Sequence, residues 1–147
     1  MVHVEKIVSM EKFLALIIRY DFSGVGIHFF TPNDFSQQLA YMNRPKGHEI
    51  DPHVHNAIPR NIEWTQEVLF VKSGRVRVDF YDQECVYLES RILNAGDVIL
   101  LAHGGHGFTM LEASEIIEVK QGPYASDKDK TRFKGVSEQE LKMKDDE

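Results

Sequence analysis

The sequence is poor in features that mark several large classes of protein. Its 147 residues include one cysteine, Cys85, which excludes an intrachain disulfide and implies no oxidising compartment. The longest early apolar run, FLALII at residues 13–18, is too short to span a bilayer. The first residues, MVHVEKIVSM, lack the apolar core of a signal peptide. We therefore expect a cytoplasmic protein without a membrane partner.

Positive charge is also scarce. Lysine and arginine number 17 against 23 aspartates and glutamates, so the formal net charge is −6. A negative surface repels the phosphate backbone, and nucleic acid is not an expected partner. The basic stretch from Lys72 to Arg77 is interrupted by apolar residues, and we interpret it as the solvated face of a strand.

Most of the chain consists of short runs that are typical of strands, separated by glycine, proline and asparagine. The segment TQEVLFVKSGRVRVDFY predicts a hairpin turning at Lys72-Ser73-Gly74, with Val76, Val78 and Phe80 on its buried face. Seven or more such strands indicate an all-β barrel or sandwich in residues 1–124. Residues 125–147 are rich in charge and predict a polar tail, partly disordered or with a short helix from Ser137.

Histidines and one glutamate form the main candidate site. In GHEIDPHVHN, His53 and His55 are two residues apart, so on a strand both would face the same way, about 7 Å apart. Glu67 shares its strand face with apolar residues, where a carboxylate is costly to bury unless it is paired or ligated. His106 follows two glycines in GDVILLAHGGHGF, and glycine allows a close approach of the backbone.

These residues resemble the two motifs of the cupin superfamily. The first is Gly47, five residues, His53-x-His55, then Glu67, six residues and Gly74. The segment GDVILLAHGGHGF is similar to the second motif, although it lacks the proline that is usual there. In the first motif, the loop between His55 and Glu67 is longer than is common in the family. The resemblance spans about residues 38–121, and it implies a small antiparallel β-barrel, a jelly-roll-like double-stranded β-helix.

The resemblance further implies one divalent transition metal bound by three histidines and one glutamate. Carried over to this sequence, the ligands are His53, His55, Glu67 and His106. His103 is a rival to His106, because His106 lies one residue closer to Gly96 than the family pattern places it. Imidazole and carboxylate together suit Fe, Mn, Ni, Co, Cu or Zn, and the sequence does not choose among these metals.

Three other residues are candidates for binding a substrate. Arg60 and Trp64 lie in the long loop, where a guanidinium can bind a carboxylate or phosphate and an indole can stack on a ring. Tyr41, on the preceding strand, is the third. The segment EVLFV is apolar on both faces, which predicts a homodimer.

The expected function is that of a small-molecule metalloenzyme of dioxygenase, isomerase or lyase type. The ending GGHGF…EVKQGPY resembles small single-domain cupins associated with bacterial surface-polysaccharide biosynthesis, which implies a sugar or small carboxylate as substrate. The alternative is a non-catalytic module that binds or senses a small ligand. No catalytic residue is assigned by the sequence.

Overall fold

The protein is built from antiparallel β-strands, as the sequence predicts. The computed structural model describes residues 3–144, and within that range no helix has the length and apolar character needed to cross a membrane. Residues 145–147 of the predicted tail lie outside the described part. The strands are β1 Val4–Ser9, β2 Lys12–Ile18, β3 Gly26–Phe29, β4 Ala40–Asn43, β5 Glu67–Ser73, β6 Arg75–Tyr81, β7 Tyr87–Asn94, β8 Val98–Leu101, β9 Gly105–Met110 and β10 Glu115–Lys120.

The chain forms two compact units. The first contains the residues up to Phe22 and those from Trp64 onward, and the second is Ser23–Glu63. The first unit holds a five-stranded sheet in the order β1-β2-β8-β5-β10 and a three-stranded sheet in the order β7-β6-β9. The second unit holds the antiparallel pair β3-β4. None of these sheets, which cover the strands of residues 3–144, closes on itself.

The core of the first unit lies between its two sheets. On β6, Val76, Val78 and Phe80 are almost completely buried, which confirms the buried face predicted from the sequence. Apolar residues of both sheets form one cluster, as expected of two packed β-layers. Its buried members are Ile7, Leu14, Ala15, Ile17, Leu69, Val71, Val76, Val78, Phe80, Leu93, Ile99 and Leu101.

The predicted hairpin between β5 and β6 is wrong. β5 pairs with β8 and β10, whereas β6 belongs to the other sheet and pairs with β7 and β9. One residue, Gly74, separates the two strands and has φ +88°. A Cβ at this position would lie 2.4 Å from the Ala113 carbonyl oxygen, so glycine allows the chain to pass from one sheet to the other.

The outward face of β6 is also different from the sequence interpretation, because it is not solvated. Arg77 and Asp79 are only 6% and 5% exposed. Arg77 binds Asp79 through Nε at 2.9 Å and binds Glu138 through Nη1 at 2.9 Å. Glu138 begins a short 3₁₀ helix, Glu138–Glu140, so the C-terminal part of the chain covers this face.

We call residues 134–144 the C-terminal segment. Its backbone follows β7: Ser90 N–H donates to the Lys142 carbonyl oxygen at 2.9 Å, and Lys144 N–H donates to the Ser90 carbonyl oxygen at 3.0 Å. Val136 N–H donates to the hydroxyl oxygen of Tyr81. The segment and the β6–β7 turn border an open pocket of about 470 Å³. The pocket is lined by Tyr81, Cys85, Tyr87, Lys134, Gly135, Val136, Glu140 and Lys142.

Candidate functional site

Glu67 and His106 come from different sheets and meet at one end of the first unit. Glu67 begins β5, and its side chain faces the same way as the buried Leu69 and Val71. His106 on β9 lies opposite Phe80 of β6, so its ring shares the core-facing side. His106 Nε2 is 3.2 Å from Glu67 Oε2. This contact joins two of the four metal ligands that the resemblance implies.

The Glu67 carboxylate is held ionised by its neighbours. Its side chain is 12% exposed, and burial on its own would favour the neutral form. The hydrogen bond from the His106 ring is the largest cause that lowers the pKa of Glu67 below its ordinary value, and the charge of Lys120 lowers it further. An ionised carboxylate and a neutral imidazole can both ligate a metal ion, and binding at His106 Nε2 would displace the hydrogen that this atom donates to Glu67.

A lysine ammonium group reaches the same carboxylate. Lys120, the last residue of β10, is the direct register partner of Glu67, and its Nζ lies 3.4 Å from Glu67 Oε1. The same Nζ is 3.9 Å from Oδ2 of Asp129, which ends the 3₁₀ helix Ser126–Asp129. The Thr65 hydroxyl donates to that Asp129 oxygen at 3.1 Å. Thr65, Glu67, His106, Lys120 and Asp129 are called the Glu67 cluster below.

Sequence reasoning missed three members of this cluster. One signal for Lys120 was available, since in EIIEVK it has the same strand parity as Ile116, which packs against the core. A charged residue at an inward position of a strand is unusual unless it is paired. Thr65 and Asp129 carry no such signal, because both lie outside the strands.

His103, the rival of His106, lies elsewhere in the turn between β8 and β9. Its ring centroid is 5.9 Å from that of Trp64 in an edge-on arrangement. Gly104 separates the histidines with φ +74°, and a Cβ there would come within 2.4 Å of the Tyr81 carbonyl oxygen. The contact with Glu67 is thus made by His106, and that geometry favours His106 as the ligand on this strand.

His53 and His55 lie in the second unit, in the connection that follows β4. This connection contains no strand, so the two residues do not have the strand geometry assumed from the sequence. Pro52 and Pro59, which lie on either side of the pair, have no backbone N–H to give a strand partner. The two rings are nevertheless neighbours, with centroids 5.2 Å apart and planes at 80°.

The hydrogen bonding of His53 leaves one ring nitrogen suited to a metal. Its Nδ1 is 2.9 Å from the Asp51 carbonyl oxygen, which can only accept, so Nδ1 carries the hydrogen. In the neutral ring with this tautomer, the lone pair is on Nε2. A ligating histidine ordinarily donates its other N–H to a carbonyl or carboxylate in this way.

The three residues predicted to bind substrate are distributed over both units. Arg60 is exposed and lies in the same connection as His53. Tyr41, on β4, packs with its ring 6.0 Å from that of His28. Trp64 belongs to the first unit, is 56% exposed and contacts His103.

Among residues 3–144, no three or more histidine, cysteine, aspartate or glutamate side chains form a group arranged to hold a metal ion. The Glu67–His106 pair still has a spacing that suits two ligands of one ion. Two atoms that each lie about 2.1 Å from an ion are about 3.0 Å apart at a right angle and about 3.4 Å apart at a tetrahedral angle. The observed 3.2 Å falls between these values.

Comparisons of the chain with family models, with curated proteins and with solved structures returned no match.

Proposed function

We propose that the protein is a metal-binding cupin, in which His53, His55, Glu67 and His106 ligate one divalent transition metal. The observation that carries the proposal is the contact between Glu67 and His106, which brings together two residues 39 positions apart (106 − 67) at a spacing suited to one ion. The neighbouring rings of His53 and His55, with the donating Nδ1 of His53, support these two histidines as the other two ligands. The assignment of both pairs of ligands to one site comes from their spacing in the sequence.

The proposal includes the finer fold, a jelly-roll-like double-stranded β-helix. Its support is the path of the chain between the two sheets of the first unit. β5 lies in the five-stranded sheet, β6 and β7 in the three-stranded one, β8 in the former, β9 in the latter and β10 again in the former. Repeated passage between two facing antiparallel sheets is typical of jelly rolls.

The function supported best is that of a small-molecule metalloenzyme, with a sugar or a small carboxylate as substrate. A metal in such a site supplies a Lewis acid and open positions for a substrate or for O₂. The chain's own contribution is to keep Glu67 ionised and partly buried. Arg60 and Trp64 are the proposed contacts to substrate, the first by pairing with an anionic group and the second by stacking.

Bound metal per chain tests this proposal. The untagged protein, purified without chelators and then reconstituted, is compared by elemental analysis with His53→Ala/His55→Ala and with Glu67→Gln. The control is His3→Ala/His48→Ala, which removes the same number of imidazoles outside the proposed ligand set. We expect about one ion per chain in the protein and the control, and loss of the ion from His53→Ala/His55→Ala. Full retention of metal by that variant would contradict the assignment.

Turnover separates an enzyme from a binding module. If the metal-loaded protein transforms none of a panel of sugars, sugar nucleotides and small carboxylates, yet binds one of them in calorimetry, the non-catalytic function is the correct one. If Arg60→Ala raises KM while the metal content is unchanged, the proposed role of Arg60 in binding an anionic substrate group is supported.

We propose that the protein forms a homodimer, with a second copy of the chain as its partner. The outward face of β5 and β10 carries a continuous apolar patch made by the register pairs Phe70–Ile117 and Val68–Val119. Ile117 and Val119 are 54% and 58% exposed, and Phe70 is 38% exposed. β10 is the edge strand of its sheet, so a second copy could cover both this patch and the strand edge.

A further inference from the structure

We propose that Lys120 competes with the divalent metal for Glu67 and thereby sets the metal affinity of the site. The inference rests on the proposed function, because it concerns an ion bound by Glu67. It assigns a regulatory role to a residue that lies outside both sequence motifs. Lys120 is not a ligand in this account, since an ammonium group has no lone pair to offer.

The first step is the sharing of one carboxylate. Glu67 Oε2 faces His106 at 3.2 Å, and Glu67 Oε1 faces the Lys120 ammonium at 3.4 Å. The register of β5 and β10 places Lys120 directly opposite Glu67, so this neighbour is imposed by strand pairing. An ion held by Glu67 and His106 would therefore bind a carboxylate that already carries a positive partner.

The second step is the position of Asp129. Its Oδ2 lies 3.9 Å from Lys120 Nζ and is held by the Thr65 hydroxyl. The ammonium is thus between two carboxylates, and its long flexible stem allows it to move from one to the other. Asp129 offers Lys120 an ionic partner that does not involve Glu67, so the lysine can leave Glu67 without losing its own partner.

The third step is electrostatic. The side chains of Lys120, Glu67 and Asp129 are 29%, 12% and 23% exposed, so salt and water screen their charges less than at an open surface. A positive charge beside a carboxylate weakens the binding of a second cation to it. Changes next to the ligands of a metal commonly alter affinity roughly 10- to 100-fold. Replacing Lys120 should raise the metal affinity, because the substitution removes a group that competes with the metal for Glu67.

The experiment measures the affinity for Co²⁺, whose visible spectrum also reports coordination. The full chain is stripped with a chelator and titrated in competition with a chromogenic chelator of known affinity. Lys120→Gln removes the charge but keeps a hydrogen-bond donor for Glu67, and Lys120→Arg keeps the charge. The matched control is Lys72→Gln on β5, since Lys72 pairs with Glu115 at 3.3 Å and its side chain is 57% exposed.

We expect Lys120→Gln to bind Co²⁺ roughly 10- to 100-fold more tightly than the unaltered protein. Lys120→Arg and Lys72→Gln should stay within about twofold of it. Binding by Lys120→Gln alone would also support the inference. Equal affinities in a protein that holds about one Co²⁺ per chain would overturn the role of Lys120 and leave the proposed function in place. Absence of Co²⁺ from the unaltered protein and from Lys120→Gln would overturn both.

A second pair of variants tests the same point without touching Lys120. Asp129→Asn removes the alternative partner and should leave Lys120 on Glu67, so Co²⁺ binding should weaken relative to Asp127→Asn. Asp127 lies in the same 3₁₀ helix, has a side chain 75% exposed and pairs with Arg132. Asp127→Asn therefore changes the net charge by the same amount as Asp129→Asn, but away from the Glu67 cluster. Equal affinities of these two variants would overturn the competition, and circular dichroism checks that each is folded.

Discussion

Replacing Asp79 with alanine is expected to destabilise the protein far more than replacing Glu138, although both carboxylates bind the same guanidinium. Asp79 accepts hydrogen bonds from Arg77 Nε at 2.9 Å and Nη2 at 3.2 Å, and from the Ser90 hydroxyl. Glu138 accepts two from Arg77 Nη1, at 2.9 and 3.0 Å. The difference lies in exposure, because the Asp79 side chain is 8% exposed and that of Glu138 is 69% exposed.

The magnitudes follow from that difference. Removing the buried partner of an ion pair costs about 3–5 kcal/mol, because it leaves buried charge desolvated. In Asp79→Ala, Arg77 Nε loses its acceptor, and the carboxylate that stays with the guanidinium is the exposed Glu138. An exposed pair contributes at most about 1 kcal/mol. With a urea dependence of about 2 kcal/mol per molar, Asp79→Ala should lower the unfolding midpoint by about 2 M, and Glu138→Ala by at most about 0.5 M. Domains of this kind have a total stability of about 5–15 kcal/mol, so Asp79→Ala removes a large part of it.

Urea unfolding followed by far-ultraviolet circular dichroism measures both variants. Glu138→Ala is the internal control, since it removes a carboxylate from the same arginine and changes the net charge equally. Midpoints that agree within 0.3 M, a difference of about 0.6 kcal/mol at that slope, would refute the argument. Such a result would mean that Arg77 is not buried against Asp79, and that the C-terminal segment does not cover β6 as described.

Three further predictions concern other parts of the chain. Gly104→Ala should lower the free energy of unfolding by more than about 1 kcal/mol in thermal or urea unfolding, because of the positive φ and the close Tyr81 oxygen. Gly107→Ala, where an added Cβ meets nothing within 4 Å, should cost less and serves as the control. Ile117→Lys should give a monomer in size-exclusion chromatography with light scattering, and an unchanged dimer would contradict the proposed interface. The hydrogen bond from the His3 ring lowers the pKa of Asp21, so any stability from this contact is lost as the pH falls through that lowered pKa. In His3→Ala, carbon NMR should find a higher pKa for Asp21 than in the unaltered protein. An unchanged pKa of Asp21 would contradict the contact.

The strand pattern could be read from the sequence wherever one face of a strand is buried between the two sheets. Val76, Val78 and Phe80 alternate with polar residues and are buried as predicted. The all-β class follows from such alternation, which depends only on local geometry. The pairing of the strands does not follow from this alternation. At Gly74, the residues that predict a hairpin instead connect strands of two different sheets.

For the candidate site, sequence reasoning selected Glu67 and His106, and the structure places them in contact. Lys120 and Asp129 could not be assigned to this site from local pattern, because their positions depend on the β5–β10 register and on the path of the chain after β10. His53 and His55 have neighbouring rings, although the connection that holds them contains no strand. Their assignment to the same ion as Glu67 remains a prediction from sequence spacing.

The sequence by itself determined the class of the fold and the residue types available for metal chemistry, since both depend on short-range features such as period-two alternation and histidine spacing. Only the tertiary structure decided which charged groups are neighbours. Arg77, expected in solvent, is buried under the C-terminal segment, and Lys120 lies against Glu67. The physical reason is that strand register and chain return are set by the packing of the whole unit, whereas the sequence of any one strand records only which of its faces is apolar.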